Sequence, residues 1–172
     1  MKRIVIVCGL IAGAISTSWM LGYASIAKSD TNLDNGAIYG YTAMILAFSL
    51  IYVGVRNFRN KYNGGVISFG KAFRMGLYIS LIASTMYVAA WIVAYYTFLH
   101  DFVKICTGHS INKLRESGTS AAVIAQKTAE MDSFVRMYEN PLFNALLTYS
   151  EILPVGIIAS LITAFVLRRK KI

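Results

Sequence analysis

The amino-acid sequence predicts an all-α fold, an integral membrane four-helix bundle with an amphipathic helical pair in its long outer loop. Of the 172 residues, 56% are hydrophobic and 15% are charged, whereas soluble domains average about 45–50% apolar and about 25% charged residues. Four apolar segments are long enough for a helix to cross a bilayer core, which takes about 20 residues. The basic residues lie mainly in the segments between and beyond these runs.

The net charge of +9 raises the question of whether the chain binds nucleic acid, because a basic patch is a common feature of such proteins. Here the basic residues flank the apolar runs and do not gather on one face. The sequence therefore predicts no nucleic-acid partner.

A single membrane domain is predicted, whose four spans cover residues 4–27, 37–55, 75–99 and 146–166. The first span has an alternative interpretation as a cleaved signal peptide, because Lys2 and Arg3 precede it and Ser25-Ile26-Ala27 ends it. The apolar region of a signal peptide is about 7–15 residues long. A retained anchor is therefore the favoured interpretation.

Basic residues orient the predicted bundle, because loops rich in Lys and Arg stay on the cytoplasmic side. They precede the first span, separate the second from the third and follow the fourth: Lys2, Arg3, Arg56, Arg59, Lys61, Lys71, Arg74, Arg168, Arg169, Lys170 and Lys171. These three segments contain no acidic residue, so both termini are predicted to be cytoplasmic. Aromatic residues gather at the predicted outer interface, as expected for amphipathic rings: Trp19, Tyr23, Tyr39, Tyr41, Tyr95, Tyr96 and Tyr149.

Small residues spaced by four are expected at helix contacts, because they let helix backbones approach closely in lipid. Each span contains such a set: Gly9 and Gly13; Gly36 and Gly40; Gly76, Ser80 and Ser84; Gly156, Ser160 and Ala164. Together these sets predict a compact bundle. The alternative is that small residues are simply common in membrane helices.

The segment between the second and third spans predicts a helix that begins at Ser68 after a glycine turn. Phe69 and Phe73 fall on one face of this helix, and Lys71 and Arg74 fall elsewhere. The arrangement is typical of a helix end in the headgroup layer, where basic side chains reach anionic lipid. A specific site for a phosphate or an anionic headgroup at Lys71 and Arg74 is the alternative.

The predicted outer loop, residues 100–144, is too long for a bare connection, and Gly118 divides it into two helical stretches. One face of the second stretch carries Ile124, Thr128, Met131, Val135 and Tyr138. This spacing predicts an amphipathic pair folded over the outer end of the bundle. Asn140 and Pro141 predict the cap and first turn of the fourth spanning helix.

Glu151 is the only ionisable residue well inside a predicted span, and such a residue usually faces the bundle interior or water. Pro154 removes one backbone hydrogen bond nearby and is expected to kink the helix. In one hypothesis, the protonated carboxyl of Glu151 forms a structural hydrogen bond to another helix; in the other, it is an intramembrane proton or cation site. Candidate partners in other spans are Ser16, Thr17, Ser18, Ser84, Thr85 and Tyr87.

Several short stretches occur together: Ile67-Ser68-Phe69-Gly70-Lys71-Ala72-Phe73, Asn140-Pro141, Glu151-x-x-Pro154-x-Gly156 and the basic tail. With these stretches, and with Gly9-Leu10-Ile11-Ala12-Gly13 in the first span, the chain resembles a family of small bacterial four-span membrane proteins catalogued as a domain of unknown function. The resemblance covers nearly the whole chain and implies a bacterial inner-membrane location. It implies no activity, substrate or catalytic residue.

Two classes of membrane function follow from these features. The favoured class is a structural, accessory or interaction protein, whose partners are membrane lipids, anionic headgroups at the cytoplasmic rim, a second copy or another membrane protein. The alternative is a small oligomeric carrier or channel that uses Glu151. Its spans contain few polar residues, so an oligomer would have to supply the polar path.

Catalysis is a third class, with His100, Asp101, His109 and Glu116 as candidate residues at the outer face. The chain contains no nucleophile elbow, paired-histidine helix motif or phosphate loop, so no enzyme and no cofactor are predicted. Cys106 and His109 form one Cys-x-x-His pair, whereas a structural zinc site has four ligands. A surface loop is therefore the favoured interpretation of this pair.

Overall fold

The computed structural model describes residues 1–27 and 36–169, and six helices lie in these two ranges. They are α1 (Lys2–Ala27), α2 (Gly36–Tyr62), α3 (Phe69–Thr97), α4 (Phe102–Glu116), α5 (Ala121–Tyr138) and α6 (Pro141–Leu167). By length and composition, α1, α2, α3 and α6 could each cross a membrane. The predicted all-α fold with four spanning helices is confirmed.

The four long helices form a bundle in which α3 packs between α1 and α6, and α2 packs against α1 and α6 from the other side. The α2–α3 connection and both ends of the described chain lie at one end of this bundle, termed the terminal end. There, Ile67 and Arg169 exchange two backbone hydrogen bonds of 3.2 and 2.9 Å, and Val5 and Leu167 share one core cluster. The pair α4 and α5 lies at the opposite end, termed the capped end.

Three spanning helices extend beyond the apolar segments that predicted them. Helix α2 continues to Tyr62, beyond its apolar run, and α3 and α6 begin at Phe69 and Pro141, where the sequence predicted helix starts. Ser68 caps α3 and its side chain accepts a hydrogen bond from the Lys71 amide. The Asn140 side chain caps α6 by accepting from two backbone amides. Both predicted caps are confirmed.

Two glycines allow α3 and α6 to approach closely. A Cβ atom added at Gly76 would lie 2.7 Å from Ser160 Oγ, and one added at Gly156 would lie 2.7 Å from Ser80 Oγ. The hydroxyls of Ser80 and Ser160 lie 3.2 Å apart, and each also donates to a carbonyl of its own helix. The small residues predicted to pack in the third and fourth spans therefore do so against each other.

The glycines predicted to pack in the first span lie at its close contact with α3. A Cβ atom added at Gly9 would lie 2.8 Å from Ile82, and one added at Gly13 would lie 2.9 Å from Met86. The expectation for the second span is wrong at Gly40, where an added Cβ would meet nothing within 4 Å. Close packing of α2 occurs instead at Gly54, where an added Cβ would lie 3.0 Å from Cys8 Sγ. Small residues spaced by four lie on one helix face, but the positions of the neighbouring helices determine whether that face is packed.

The capped end has the predicted helical pair, separated by Gly118 in a left-handed conformation with φ of +72°. The predicted inner face of α5 is confirmed, since its members are buried or half-buried: Ile124, Thr128, Met131, Val135 and Tyr138. Val103, Val135 and Tyr138 join a core cluster with the capped-end halves of α1 and α3. The pair therefore packs on the bundle.

One of the aromatic residues predicted at the outer interface lies elsewhere. Tyr95 is only 1% exposed, and its ring makes edge contact with the Tyr138 ring at a centroid distance of 5.2 Å. The helical pair covers Tyr95 and makes it part of the core, which the sequence of α3 alone does not reveal.

Candidate functional site: a cavity at Glu151

A cavity of about 370 Å³ lies between the capped-end halves of the four long helices. All six helices line it, through Ser16, Trp19, Met20, Tyr23, Ala24, Gly40, Tyr41, Ala43, Met44, Tyr87, Trp91, Phe102, Val103, Tyr138, Thr148 and Glu151. This space, termed the Glu151 cavity, is at the small end of the range of about 300–1,000 Å³ that is usual for ligand sites. Most of its lining is aromatic or aliphatic.

Helical spacing brings the polar members of the lining together. Thr148 and Glu151 are three residues apart on α6, and Tyr87 and Trp91 are four apart on α3, so each pair lies on one helix face. Side chains on a helix tilt toward its N-terminus, and the N-terminus of α6 is at the capped end. Glu151 therefore extends toward α5.

The Glu151 side chain is exposed to this cavity and lies about 15 Å of helix rise from Pro141. Its carboxylate forms no hydrogen bond or ion pair with any residue that the structure describes, and the lining contains no Lys, Arg or His. The phenols of Tyr87 and Tyr138 lie within electrostatic range. The interhelical hydrogen bond that the structural hypothesis requires is therefore not formed with a described residue.

Tyr138 and Trp91 form the wall of the cavity at its α5 side. Trp91 Nε1 donates a hydrogen bond of 2.7 Å to the Tyr138 hydroxyl, and the Phe102 ring contacts the Trp91 ring edge-on at 5.6 Å. Burial raises the pKa of Tyr138 to about 12, and the nearby Glu151 carboxylate also contributes to this rise. The hydroxyl therefore remains protonated at neutral pH and can itself donate a hydrogen bond.

The structure brings only some of the predicted partners to Glu151. Ser16 and Tyr87 share its cavity, whereas Thr17, Ser18, Ser84 and Thr85 are not lining residues. Thr85 instead accepts a hydrogen bond of 2.8 Å from the Tyr149 hydroxyl and so joins α3 to α6.

Pro154 does not form one site with Glu151. It is exposed, α6 continues through it, and it does not line the cavity. The reason is direction, because the Glu151 side chain extends toward the N-terminus of α6 and Pro154 is on the C-terminal side.

Several lining residues were missed by sequence reasoning, namely Met20, Met44, Trp91, Phe102, Val103 and Thr148. Thr148 had a local signal, since it precedes Glu151 by three residues on the same helix face. The other five come from four different helices, and nothing near them in the sequence indicates that they share a cavity. Trp19, Tyr23 and Tyr41 were predicted only as interfacial aromatics, and they line the cavity as well.

The residues considered for catalysis lie apart from this cavity. Asp101 and Glu116 mark opposite ends of α4, about 22 Å apart along the helix, and Asp101 pairs with Lys104 at 3.8 Å. The surface loop expected for Cys106 and His109 is wrong, since both lie in helix α4. Burial raises the pKa of the Cys106 thiol, which disfavours the thiolate that binds metals. Within the described ranges, no three His, Cys, Asp or Glu side chains are grouped so as to hold a metal ion.

Lys71 and Arg74 occupy different environments at the terminal end. The Lys71 ammonium donates a hydrogen bond of 2.9 Å to Asn63 Oδ1 and lies 4.9 Å from the centre of the Phe58 ring. Arg74 is exposed, and its Nε donates to the Gly70 carbonyl at 3.3 Å. Lys71 is thus engaged within the protein, while the guanidinium of Arg74 is accessible from outside.

Comparison with known proteins gives a family and no characterised relative. No curated protein and no solved structure matches the chain. A family model described as "Protein of unknown function (DUF4199)" matches residues 8–169, which include most of α1 and the whole of the other five helices. The resemblance found in the sequence is confirmed at this level. The chain belongs to the DUF4199 family.

Proposed function

We propose that the protein is a non-enzymatic binding protein of the bacterial inner membrane, with cytoplasmic termini, and that it holds a small molecule in the Glu151 cavity. The observation that carries this proposal is a cavity of about 370 Å³ whose lining includes a carboxylate without a basic partner among the described residues. An accessory membrane protein that binds a ligand fits this arrangement better than a purely structural bundle.

The composition of the lining supports binding of a small molecule. Such sites are mostly apolar and aromatic, with a few polar groups that orient the ligand. Here Glu151, Thr148 and the hydroxyl of Tyr138 supply polar groups, and aromatic residues and two methionines are the largest of the other lining residues.

A carrier is the second candidate, favoured by the position of Glu151 in a cavity between spanning helices. The core of the terminal half opposes transport through a single copy, because large side chains fill that half: Phe48, Ile51, Val55, Met75 and Ile79, each at most 1% exposed. A polar path through one copy would have to pass these side chains. Transport would therefore require an oligomer or a large rearrangement, and binding is the simpler function.

Anionic lipid headgroups are the proposed partners at the terminal end, with Arg74 as the main contact. The described part of this end carries basic and no acidic side chains, and each basic residue near an anionic surface contributes about 1 kcal/mol. Arg74→Gln should reduce retention of anionic lipid during purification. Lys71→Gln should have a smaller effect, since the Lys71 ammonium is engaged by Asn63 and Phe58. Equal effects of the two substitutions would contradict this assignment.

Two glycines provide a matched test of the cavity. An added Cβ would meet nothing within 4 Å at either Gly40 or Gly22, but only Gly40 lines the cavity. Gly40→Leu should therefore fill part of the cavity, and Gly22→Leu should leave it unchanged.

Native mass spectrometry of protein purified in mild detergent is the measurement. The wild-type protein and Gly22→Leu should retain the same small molecule, and Gly40→Leu should lose it. The proposal is wrong if the wild-type protein retains no small molecule, or if Gly40→Leu retains the same amount.

A further inference from the structure

The chemistry of the lining narrows the class of ligand. We infer that the Glu151 cavity binds a small amphiphilic organic cation, an amine or quaternary ammonium group joined to an apolar body. This inference rests on the proposed binding function and adds the charge and shape of the occupant.

The charge of the lining is the first argument. Among the residues that the structure describes, Glu151 is the only lining residue that is charged in its ordinary ionised state, and none of the described lining residues is basic. A carboxylate without a counterion inside a membrane protein is costly, so a cationic ligand gains from supplying that counterion. An anionic ligand would meet neutral hydroxyl and indole donors but no described cation, and it would meet the like charge of Glu151.

Aromatic rings are the second argument. Seven aromatic residues of the described part of the chain line the cavity: Trp19, Tyr23, Tyr41, Tyr87, Trp91, Phe102 and Tyr138. The faces of Trp and Tyr rings attract cations, and aromatic cages of this kind bind quaternary ammonium groups. The indole N–H of Trp91 is already donated to Tyr138, so the ring is what this side chain presents to a ligand.

Calcium and magnesium fit the same cavity poorly. Calcium takes six to eight oxygen ligands, and magnesium needs an octahedral set, whereas the lining supplies one carboxylate and a few hydroxyls. The aliphatic and thioether surface from Met20, Met44 and Val103 offers no oxygen ligand to calcium or magnesium. It is suited to the apolar part of an organic ligand.

Intrinsic fluorescence can report on occupancy directly. The chain has two tryptophans, and both Trp19 and Trp91 line the cavity. The probes are benzyltrimethylammonium and neopentylbenzene, its neutral isostere in which carbon replaces nitrogen. Both are titrated into the purified wild-type protein, into Glu151→Gln and into Glu116→Gln. The last variant removes the same charge at the exposed end of α4.

The expected result is that the cation changes the fluorescence of the wild-type protein and of Glu116→Gln with the same affinity. Glu151→Gln should bind the cation at least tenfold more weakly, a difference of about 1.4 kcal/mol. The wild-type protein should also bind neopentylbenzene at least tenfold more weakly than the cation. This last comparison needs no variant, so it holds even if Glu151→Gln folds poorly.

Two outcomes would overturn the inference, and they separate it from the proposed function. If the neutral isostere binds as tightly as the cation, and Glu151→Gln changes neither affinity, the cavity binds a ligand but not by charge. If neither probe binds to the wild-type protein, the cation assignment is wrong. The mass-spectrometric test with Gly40→Leu then decides separately whether the cavity holds any other small molecule.

Discussion

Replacing Gly156 by Ala would test how closely α3 and α6 must approach. The added methyl carbon would lie 2.7 Å from both Cβ and Oγ of Ser80, whereas carbon atoms in contact are about 3.5–4.0 Å apart. Rotation of the Ser80 side chain would not relieve this contact, because its Cβ is attached to the backbone. The two helices must therefore separate locally by roughly 1 Å.

The expected cost follows from two opposing effects. Overpacking of a core costs about 1–3 kcal/mol, and alanine is favoured over glycine in a helix by about 0.5–1 kcal/mol. The net loss for Gly156→Ala is therefore roughly 1 kcal/mol. Gly76→Ala should behave in the same way, since its added carbon would lie 2.7 Å from Ser160 Oγ. The double variant should lose less than the sum, because one separation of the helices accommodates both methyl groups.

Thermal unfolding in detergent would measure this effect, with Gly22→Ala as the control. An added Cβ at Gly22 meets nothing within 4 Å, so only the helix preference acts and the melting temperature should rise. Gly156→Ala should lower it. The reasoning is refuted if Gly156→Ala is as stable as Gly22→Ala, since the contact with Ser80 would then have no cost.

Three further predictions concern the site and the orientation. Tyr138→Phe removes the acceptor of the buried Trp91 N–H and should destabilise the fold by about 1–3 kcal/mol. The measurement is a lower melting temperature, and an unchanged melting temperature would mean that the indole finds another acceptor. Glu151→Gln and Glu151→Ala should both leave the protein at least as stable as the wild type, because the carboxylate bonds to no described residue and an unpaired charge inside a membrane protein is costly. A loss of about 0.6–2 kcal/mol for Ala alone would instead support the structural hydrogen bond. Reporter fusions after Lys61 should indicate the cytoplasm and fusions at Gly118 the outside; a periplasmic signal at Lys61 would reverse the orientation.

Features that depend on residues close together along the chain could be predicted from the sequence. The four spanning helices follow from the length of their apolar runs, and the caps at Ser68 and Asn140 follow from residue type and spacing. The inner face of α5 follows from its helical period. The end of α2 at Tyr62 was not predicted, because polar and basic residues continue this helix beyond its apolar run.

Features that depend on which helices meet were decided only by the tertiary structure. The sequence singled out Glu151, but its cavity is lined by six helices, and no spacing along one of them reveals the others. Gly40 and Gly76 have similar local spacing, yet one faces open space and the other faces Ser160. The sequence by itself determined where helices form, because hydrogen bonding within a helix and transfer into lipid are local properties. The tertiary structure alone decided which faces touch and which enclose space, because that depends on how the packed helices are rotated and crossed.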